Sequence, residues 1–351
     1  MSNIGRRGLM VGGGVSFLAG ASQLPALAQS GIVASDFFKG RAMRVLIGTT
    51  PGAGYDLIAR LVAQHLPKHL PGAPQISAEN MPGAGSLTMM NYLYTRAPQD
   101  GTMFGLPLNG VILEPSLQLM SRGGGTVAFD LAKMNWLGSP SQEPQLLWVL
   151  TTASSAASHK ETRGLRVGAS SVSADNFVIS SLANKLLGTE LKIVAGYSGT
   201  NETFLAADRG EVDGGCTSFS AIAVGRPAWI NEKKIRILIQ FGSERLKELP
   251  DVPTGIELAT NDMAKQMLSL MSQKFTIAYP FVAPPGVPPE RVALLQGAFD
   301  ALFKDPEFEK DMGKAGLILR PSSGPDVARK IAIIGSAPDN VVSELKRQLS
   351  I

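Results

Sequence analysis

The sequence predicts an α/β protein of two domains built on open sheets with flanking helices. Three observations carry this reading. Short apolar runs such as Val45–Thr49 are followed by Pro/Gly turns and then by amphipathic helices. That strand–turn–helix unit returns within about 40 residues, and again near residue 170 with hydroxyls in place of glycines. Two further apolar runs, Leu146–Leu150 and Lys274–Ala283, are placed to carry the chain from one domain to the other and back. A pair of crossings makes a hinge, and a ligand can be clamped in the cleft beside it.

The first residues read as an export signal and stand apart from the fold. Arg6-Arg7 precedes an apolar stretch from about Leu9 to Leu27, and Ala26-Leu27-Ala28 supplies small residues before a cleavage point, so residues 1–28 are expected to be removed. The twin arginine resembles the signal for exporting folded proteins, although Gly5 and Gly8 fit that pattern poorly. Glycines interrupt the apolar stretch, which favours a secretory peptide over an anchor, and no later segment is long and apolar enough to span a bilayer. The mature chain is expected outside the cytoplasm.

The first domain opens with a polar lead-in, Asp36 to Arg44, and the strand at 45–49. A Pro/Gly turn stops the strand, and Asp56 is placed to cap a helix to about Leu66, whose positions 57, 58, 61, 62, 65 and 66 recur at helical spacing. Backbone N–H groups at a first helical turn can hold a small anion, and glycines let it approach. Gly52, Ala53, Gly54, Tyr55 and Asp56 are therefore candidate binding residues, with an ordinary tight turn as the alternative. Pro67, Pro71, Gly72 and Pro74 close the helix, the strand Gln75–Ala78 follows, and Gly83, Ala84, Gly85 and Ser86 form a second candidate turn before a helix from Leu87 to Arg96. In an open parallel sheet such turns gather at the carboxyl ends of the strands, and two together suit a carboxylate or another small oxyanion. Neither turn has the Gly-Lys-Ser/Thr of a phosphate loop or the GxGxxG spacing of a dinucleotide site. After the turn Pro98–Gly101, a third strand over 102–107 leads to Asn109, which joins the candidate set.

Beyond a loop-like stretch at 121–130, Leu146–Leu150 is read as a long strand and the first crossing. Gly164–Ala169 restarts the strand pattern, and Ser170-Ser171-Val172-Ser173-Ala174-Asp175-Asn176 precedes a helix to about Leu187. Ser170, Ser171 and Ser173 can donate to a ligand oxygen or cap the helix, and Asp175 is either a helix cap or a ligand contact. Lys192–Thr200 is a strand and turn carrying Tyr197, Ser198 and Gly199, followed by a helix into Asp208; the strand 210–217 ends at the candidate Thr217. Ile235–Phe241 is read as a central strand and Leu249–Thr254 as a rigid extended turn. The chain returns over 274–283, and helices are expected near 290–303, 306–315 and 338–349.

The formal charge of +4 falls to +2 without residues 1–28, which hold Arg6 and Arg7 and no acid. The basic residues are scattered, so nucleic acid is not an expected partner. The single cysteine, Cys216, is read as a small buried hydrophobe. His65 and His69 have the spacing of a metal pair, but Pro67 lies between them and no Glu follows His65. They are read as surface or half-buried side chains; no metal and no cofactor is expected. Cys216, His159 and His65 offer parts for an enzyme, yet no three residues form a recognisable nucleophile, base and orienter. Binding without turnover is preferred, with a secreted enzyme acting on a small carboxylate-containing substrate as the alternative.

An ordered set of motifs resembles the substrate-binding proteins of tripartite tricarboxylate transporters over roughly residues 41–345. They are Pro51-Gly52-Ala53-Gly54-Tyr55-Asp56 with Ala59-Arg60, Glu79-Asn80-Met81-Pro82-Gly83-Ala84-Gly85, Ala97-Pro98-Gln99-Asp100-Gly101-Thr102, Tyr197-Ser198-Gly199, Gly210-Glu211-Val212-Asp213, Arg245 with Leu249–Thr254, and Ala283-Pro284-Pro285-Gly286-Val287-Pro288. The resemblance implies a two-lobed periplasmic binding protein fold, each lobe a central sheet flanked by helices with the ligand cleft between them. It implies a first lobe from residues 41–145 and 276–351, a second from 146–275, and a monomer in the periplasm of a Gram-negative bacterium. It also implies that a small organic acid is delivered to membrane permease subunits. In that family the first two turns hold a ligand carboxylate, here 52–56 and 83–86, and the opposite lobe sets substrate choice, here Ser170, Ser171, Ser173 and Asp175 with Tyr197, Ser198 and Gly199. Ala53 stands where glycine is commoner, and Asp175 would repel a second carboxylate unless it met an amino group or hydroxyl.

Overall fold

The computed structural model describes residues 36–52, 54–118, 125–170 and 174–349. The expected export segment, and the candidates Ala53, Ser171 and Ser173, lie outside the described residues. The described residues form one compact unit containing two sheets.

The chain runs through β1 (Ala42–Ile47), α1 (Gly54–His65), β2 (Gln75–Asn80), α2 (Leu87–Thr95), β3 (Met103–Leu106), α3 (Glu114–Leu117) and β4 (Asn135–Ser139). It continues as β5 (Gln145–Leu150), β6 (Arg166–Ala169), α4 (Asp175–Leu187), β7 (Lys192–Ala195), α5 (Thr200–Asp208), β8 (Gly214–Ser218), α6 (Phe219–Gly225), α7 (Pro227–Asn231), β9 (Ile235–Phe241), α8 (Gly255–Leu258) and α9 (Asp262–Gln273). The last elements are β10 (Phe281–Ala283), α10 (Pro289–Leu302), α11 (Pro306–Lys314), β11 (Ser322–Ser323), α12 (Gly324–Gly335) and α13 (Asp339–Gln348).

The first sheet has the order β11-β4-β10-β3-β1-β2 and the second β7-β6-β8-β5-β9. In each, the strand–turn–helix units supply a parallel core: β1 pairs in parallel with β2 and β3, and β6 with β7 and β8. The remaining strands are antiparallel, so both sheets are mixed. Leu146–Leu150 lies wholly within the second sheet, and the chain passes between the sheets just before it, over 140–144. The return passage precedes β10. These two passages are bonded in both directions: Glu143 N–H donates to Phe275 O at 2.8 Å and Ala278 N–H to Ser141 O at 3.2 Å.

Aromatic side chains fill both lobes. Phe104, Phe281 and Phe299 pack with centroids 5.0–6.2 Å apart beneath the first sheet, and Trp148, Phe204 and Trp229 at 4.9–5.9 Å beneath the second. The run Ile235–Phe241, expected to be central, forms the edge strand β9. Its apolar character is compatible with an edge because residues 249–254 cover it: Gln240 N–H donates to Pro253 O at 2.9 Å, and its side-chain amide donates to Leu249 O and Val252 O, each at 2.8 Å.

Candidate functional site

The first turn is built around Asp56. This residue does not cap α1 from outside, as its position suggested, but lies within the first turn of a helix that begins at Gly54. Its buried carboxylate accepts Gly52 N–H at 2.9 Å, the Asn80 amide at 2.9 Å and the Arg60 guanidinium at 3.0 Å. Those bonds, with Arg60 foremost, hold its carboxyl down at about 2. One donor expected for a ligand is therefore engaged by the chain's own acid, whose charge Arg60 balances.

The second turn is held by Ser86. Its fully buried hydroxyl donates to Gly48 O and accepts Leu108 N–H, both at 3.0 Å. Gly48 makes this possible, since a Cβ there would stand 2.2 Å from the Ser86 Oγ. Gly83 and Ala84 are exposed, and Ala84 lines a depression over α2 together with Met81, Thr88 and Tyr92, separate from the space between the lobes.

Between the lobes lies a cavity of about 620 Å³. From the first lobe it is lined by Gly54, Leu57 and Ile58 of α1, by Tyr279 and by residues 315–317; from the second, by Ser198–Glu202 and by Ser218, Ser220, Ala221, Val224 and Gly225. The cavity thus brings together the candidates Gly54, Ser198 and Gly199, and it is bordered by the starts of α1 and α5 from opposite lobes. Leu57, expected on the buried face, is 45% exposed and supplies apolar wall. Ser198 N–H donates to the Glu202 carboxylate at 2.6 Å, and this bond lowers the Glu202 carboxyl below its usual range.

A second group of candidates meets at the return passage. Tyr279, from the cavity wall, packs on Tyr55 with centroids 4.7 Å apart. The Tyr55 hydroxyl donates to Ala278 O at 2.7 Å and accepts Asn109 N–H at 3.2 Å, and burial pushes it well above its ordinary pKa. The Asn109 amide donates to Lys274 O at 3.3 Å. The Lys274 ammonium, itself buried, pairs with the Asp175 carboxylate at the start of α4. Ala174 holds the cap position and Asp175 is the first residue inside α4, and its partner among the described residues is a lysine of the passage that the sequence pattern did not single out.

The other candidates are distributed around this centre. Ser170 N–H and Oγ both bond to the Asn176 side chain, at 3.1 and 3.2 Å. Tyr197 is half-buried against the second-lobe core, with its N–H donating to Ala169 O at 3.3 Å. Thr217 is 5% exposed and its hydroxyl donates to Ser218 O at 3.2 Å. Cys216 is buried as expected, and burial raises its thiol far above the ordinary range. His65, expected at the surface or half-buried, is buried and lies 3.1 Å from Asp311; His69 lies 3.1 Å from Asp305. Among the described residues His65, Asp305 and Glu307 come close enough to share an ion, but Lys68 already pairs with Glu307 and His69 with Asp305.

No family model matches the chain. It is 26% identical over 303 residues to the "UPF0065 protein in gbd 5'region" of Cupriavidus necator, covering 84% of this chain and 83% of that one. Among solved structures it is similar to a TctC solute binding protein from Polaromonas, with a TM-score of 0.64 at 16% identity over 87% of this chain and 99% of the other. The fold is that of periplasmic solute-binding proteins. Two further structures of that fold are MatC of Rhodopseudomonas palustris with bound malate, at a TM-score of 0.56 and 21% identity over 89% and 100% of the two chains, and R. palustris Rpa4515 with adipate, at 0.58 and 19% over 89% and 98%.

Proposed function

We propose that the protein is an extracytoplasmic solute receptor that binds a small organic acid in its interlobe cavity and delivers it to the membrane permease of a tripartite tricarboxylate-type transporter. The observation that carries this reading is the cavity of about 620 Å³ bordered by the starts of α1 and α5 from opposite lobes. Its size suits a small solute, and helix starts favour negative charge. Lobe closure would shield the ligand from water and strengthen its hydrogen bonds. Malate and adipate bound to proteins of the same fold support an acid as ligand, and the TctC protein supports the transporter class. Residues 1–28 act in this reading as the export signal, and the mature monomer works in the periplasm of a Gram-negative bacterium.

Within this reading the ligand carboxylate lies against the start of α1 at Gly54, and Ser198, Gly199 and Ser220 close on the rest of the ligand from the second lobe. Gly83–Ser86, Asn109, Ser170, Tyr197 and Thr217 shape the surrounding turns. Turnover is not part of the proposal; Cys216, the one thiol, is buried outside the cavity lining. The test is a thermal-shift screen of the mature protein against mono-, di- and tricarboxylates, aromatic acids and acidic amino acids, with hits titrated by calorimetry. A ligand that binds only the folded state raises the melting temperature. A micromolar or tighter acid is expected; no response across the panel contradicts the reading.

A further inference from the structure

We propose that Glu202 determines specificity, and that the ligand is an acid with one carboxylate and a hydrogen-bond-donating, above all cationic, group at its far end. This inference rests on the receptor reading and deepens it by naming the solute class.

The two helix starts bordering the cavity differ in charge. At α1, Asp56 takes the Gly52 N–H and its charge is balanced by Arg60 at 2.9 Å, so the remaining N–H groups of the helix start favour an anion. At α5, the Glu202 carboxylate sits in the first turn, takes the Ser198 N–H and has no ion-pair partner among the described residues; it is the one charged side chain among those lining the cavity. A ligand spanning the space therefore meets an anion-accepting end on the first lobe and a carboxylate on the second. Its favoured orientation places its own carboxylate at α1 and a donor at Glu202.

The neighbouring cations are already engaged. Arg226, next to the lining residue Gly225, pairs with Asp208 at 2.9 Å and stacks over Phe204 and Trp229. Lys274 is held by Asp175. Behind the wall, Glu143 is buried and accepts the Ser220 hydroxyl at 2.9 Å; one of its carboxyl oxygens has no hydrogen-bond partner among the described residues, and burial raises its carboxyl above the usual range. A second ligand carboxylate would thus approach Glu202 with no cation to receive it among the described residues that line the cavity. Like charges brought together in a closing cleft are a recognised means of rejecting a wrong partner.

The experiment is calorimetric titration of the mature protein with two series matched in length from three to eight carbons: ω-amino acids and α,ω-dicarboxylates. At the best-fitting length, the amino acid is expected to bind about tenfold more tightly than the dicarboxylate, with a gap that shrinks as salt is raised. Glu202→Gln should narrow that gap to within about twofold; the side chain is exposed, so the fold tolerates the change. Dicarboxylates binding as tightly as their amino counterparts, or a gap that Glu202→Gln leaves unchanged, would overturn the inference while leaving the receptor reading intact. Failure of every member of both series, and of the broader acid screen, would overturn the receptor reading and this inference with it.

Discussion

Asp56, Ser86 and Lys274 show how single side chains decide what the turns around the cleft are free to do. Asp56 collects three donors, so its carboxyl is depressed to about 2 from an unfolded value near 3.8. Its contribution to stability is present above the unfolded value and is lost as pH falls from about 4 through 2; at roughly 1.4 kcal/mol per pH unit it amounts to about 2 kcal/mol. Asp56→Asn should therefore lower the melting temperature at pH 7, and the difference from wild type should disappear in thermal scans carried to pH 2. Ser86 joins the ends of β1 and β3 through one hydroxyl, and Gly48 leaves the space for it. Gly48→Val would drive a side chain into that hydroxyl and should destabilise by about 3 kcal/mol, read in urea unfolding. The importance of Asp56 was legible in the sequence because an acid after a glycine turn has a short menu of roles. That its partners include Asn80, and that Asp175 turns to Lys274, was not: both pairings join residues far apart in the chain.

At the scale of elements, local pattern and tertiary placement part company. β1, α1, β2 and α2 fall close to where apolar period and Pro/Gly punctuation put them, since those signals are carried by neighbouring residues. The edge position of β9 could not be read the same way. Its apolar run resembles an inner strand, and only the fold shows that residues 249–254 cover it. Gln240 is the fastener: it is fully buried, donates to Leu249 O and Val252 O, and accepts Leu246 N–H at 2.9 Å. Gln240→Leu would remove the side-chain partner of Leu246 N–H and of Val252 O, and leave Leu249 O with Val252 N–H alone, so a loss of about 2 kcal/mol is expected, with faster amide exchange confined to 246–254. α9 and α12 were not among the expected helices, although each carries an apolar stripe at helical spacing and a start signal. Asn261 accepts Ala264 N–H at 2.9 Å, and Ser323 accepts Asp326 N–H at 3.3 Å with a proline in the first turn.

For the whole molecule, two passages bonded to each other carry two mixed sheets, and the cavity opens beside them. The candidates from both lobes were readable as turn residues, but which of them share one space depends on how the lobes meet. Gly54, Ser198 and Gly199 reach the cavity, whereas Ala84 lines a different depression. Tyr55 links α1 to the return passage through its hydroxyl. Tyr55→Phe should cost about 1–2 kcal/mol of stability, and its effect on acid affinity measures how far passage geometry and ligand binding are coupled. Cys216→Ser should leave affinity nearly unchanged, because the thiol is buried outside the cavity lining. Gly54 offers the sharpest test of the binding site. A Cβ there meets nothing within 4 Å and Gly54 lines the cavity, so a larger side chain is expected to take up cavity space. The measurement to make is calorimetric titration of wild type and Gly54→Phe with the best acid from the screen, alongside their melting temperatures. The account predicts nearly equal melting temperatures and at least about tenfold weaker binding by the variant; equal affinity in a folded Gly54→Phe protein would contradict the placement of the ligand in this cavity.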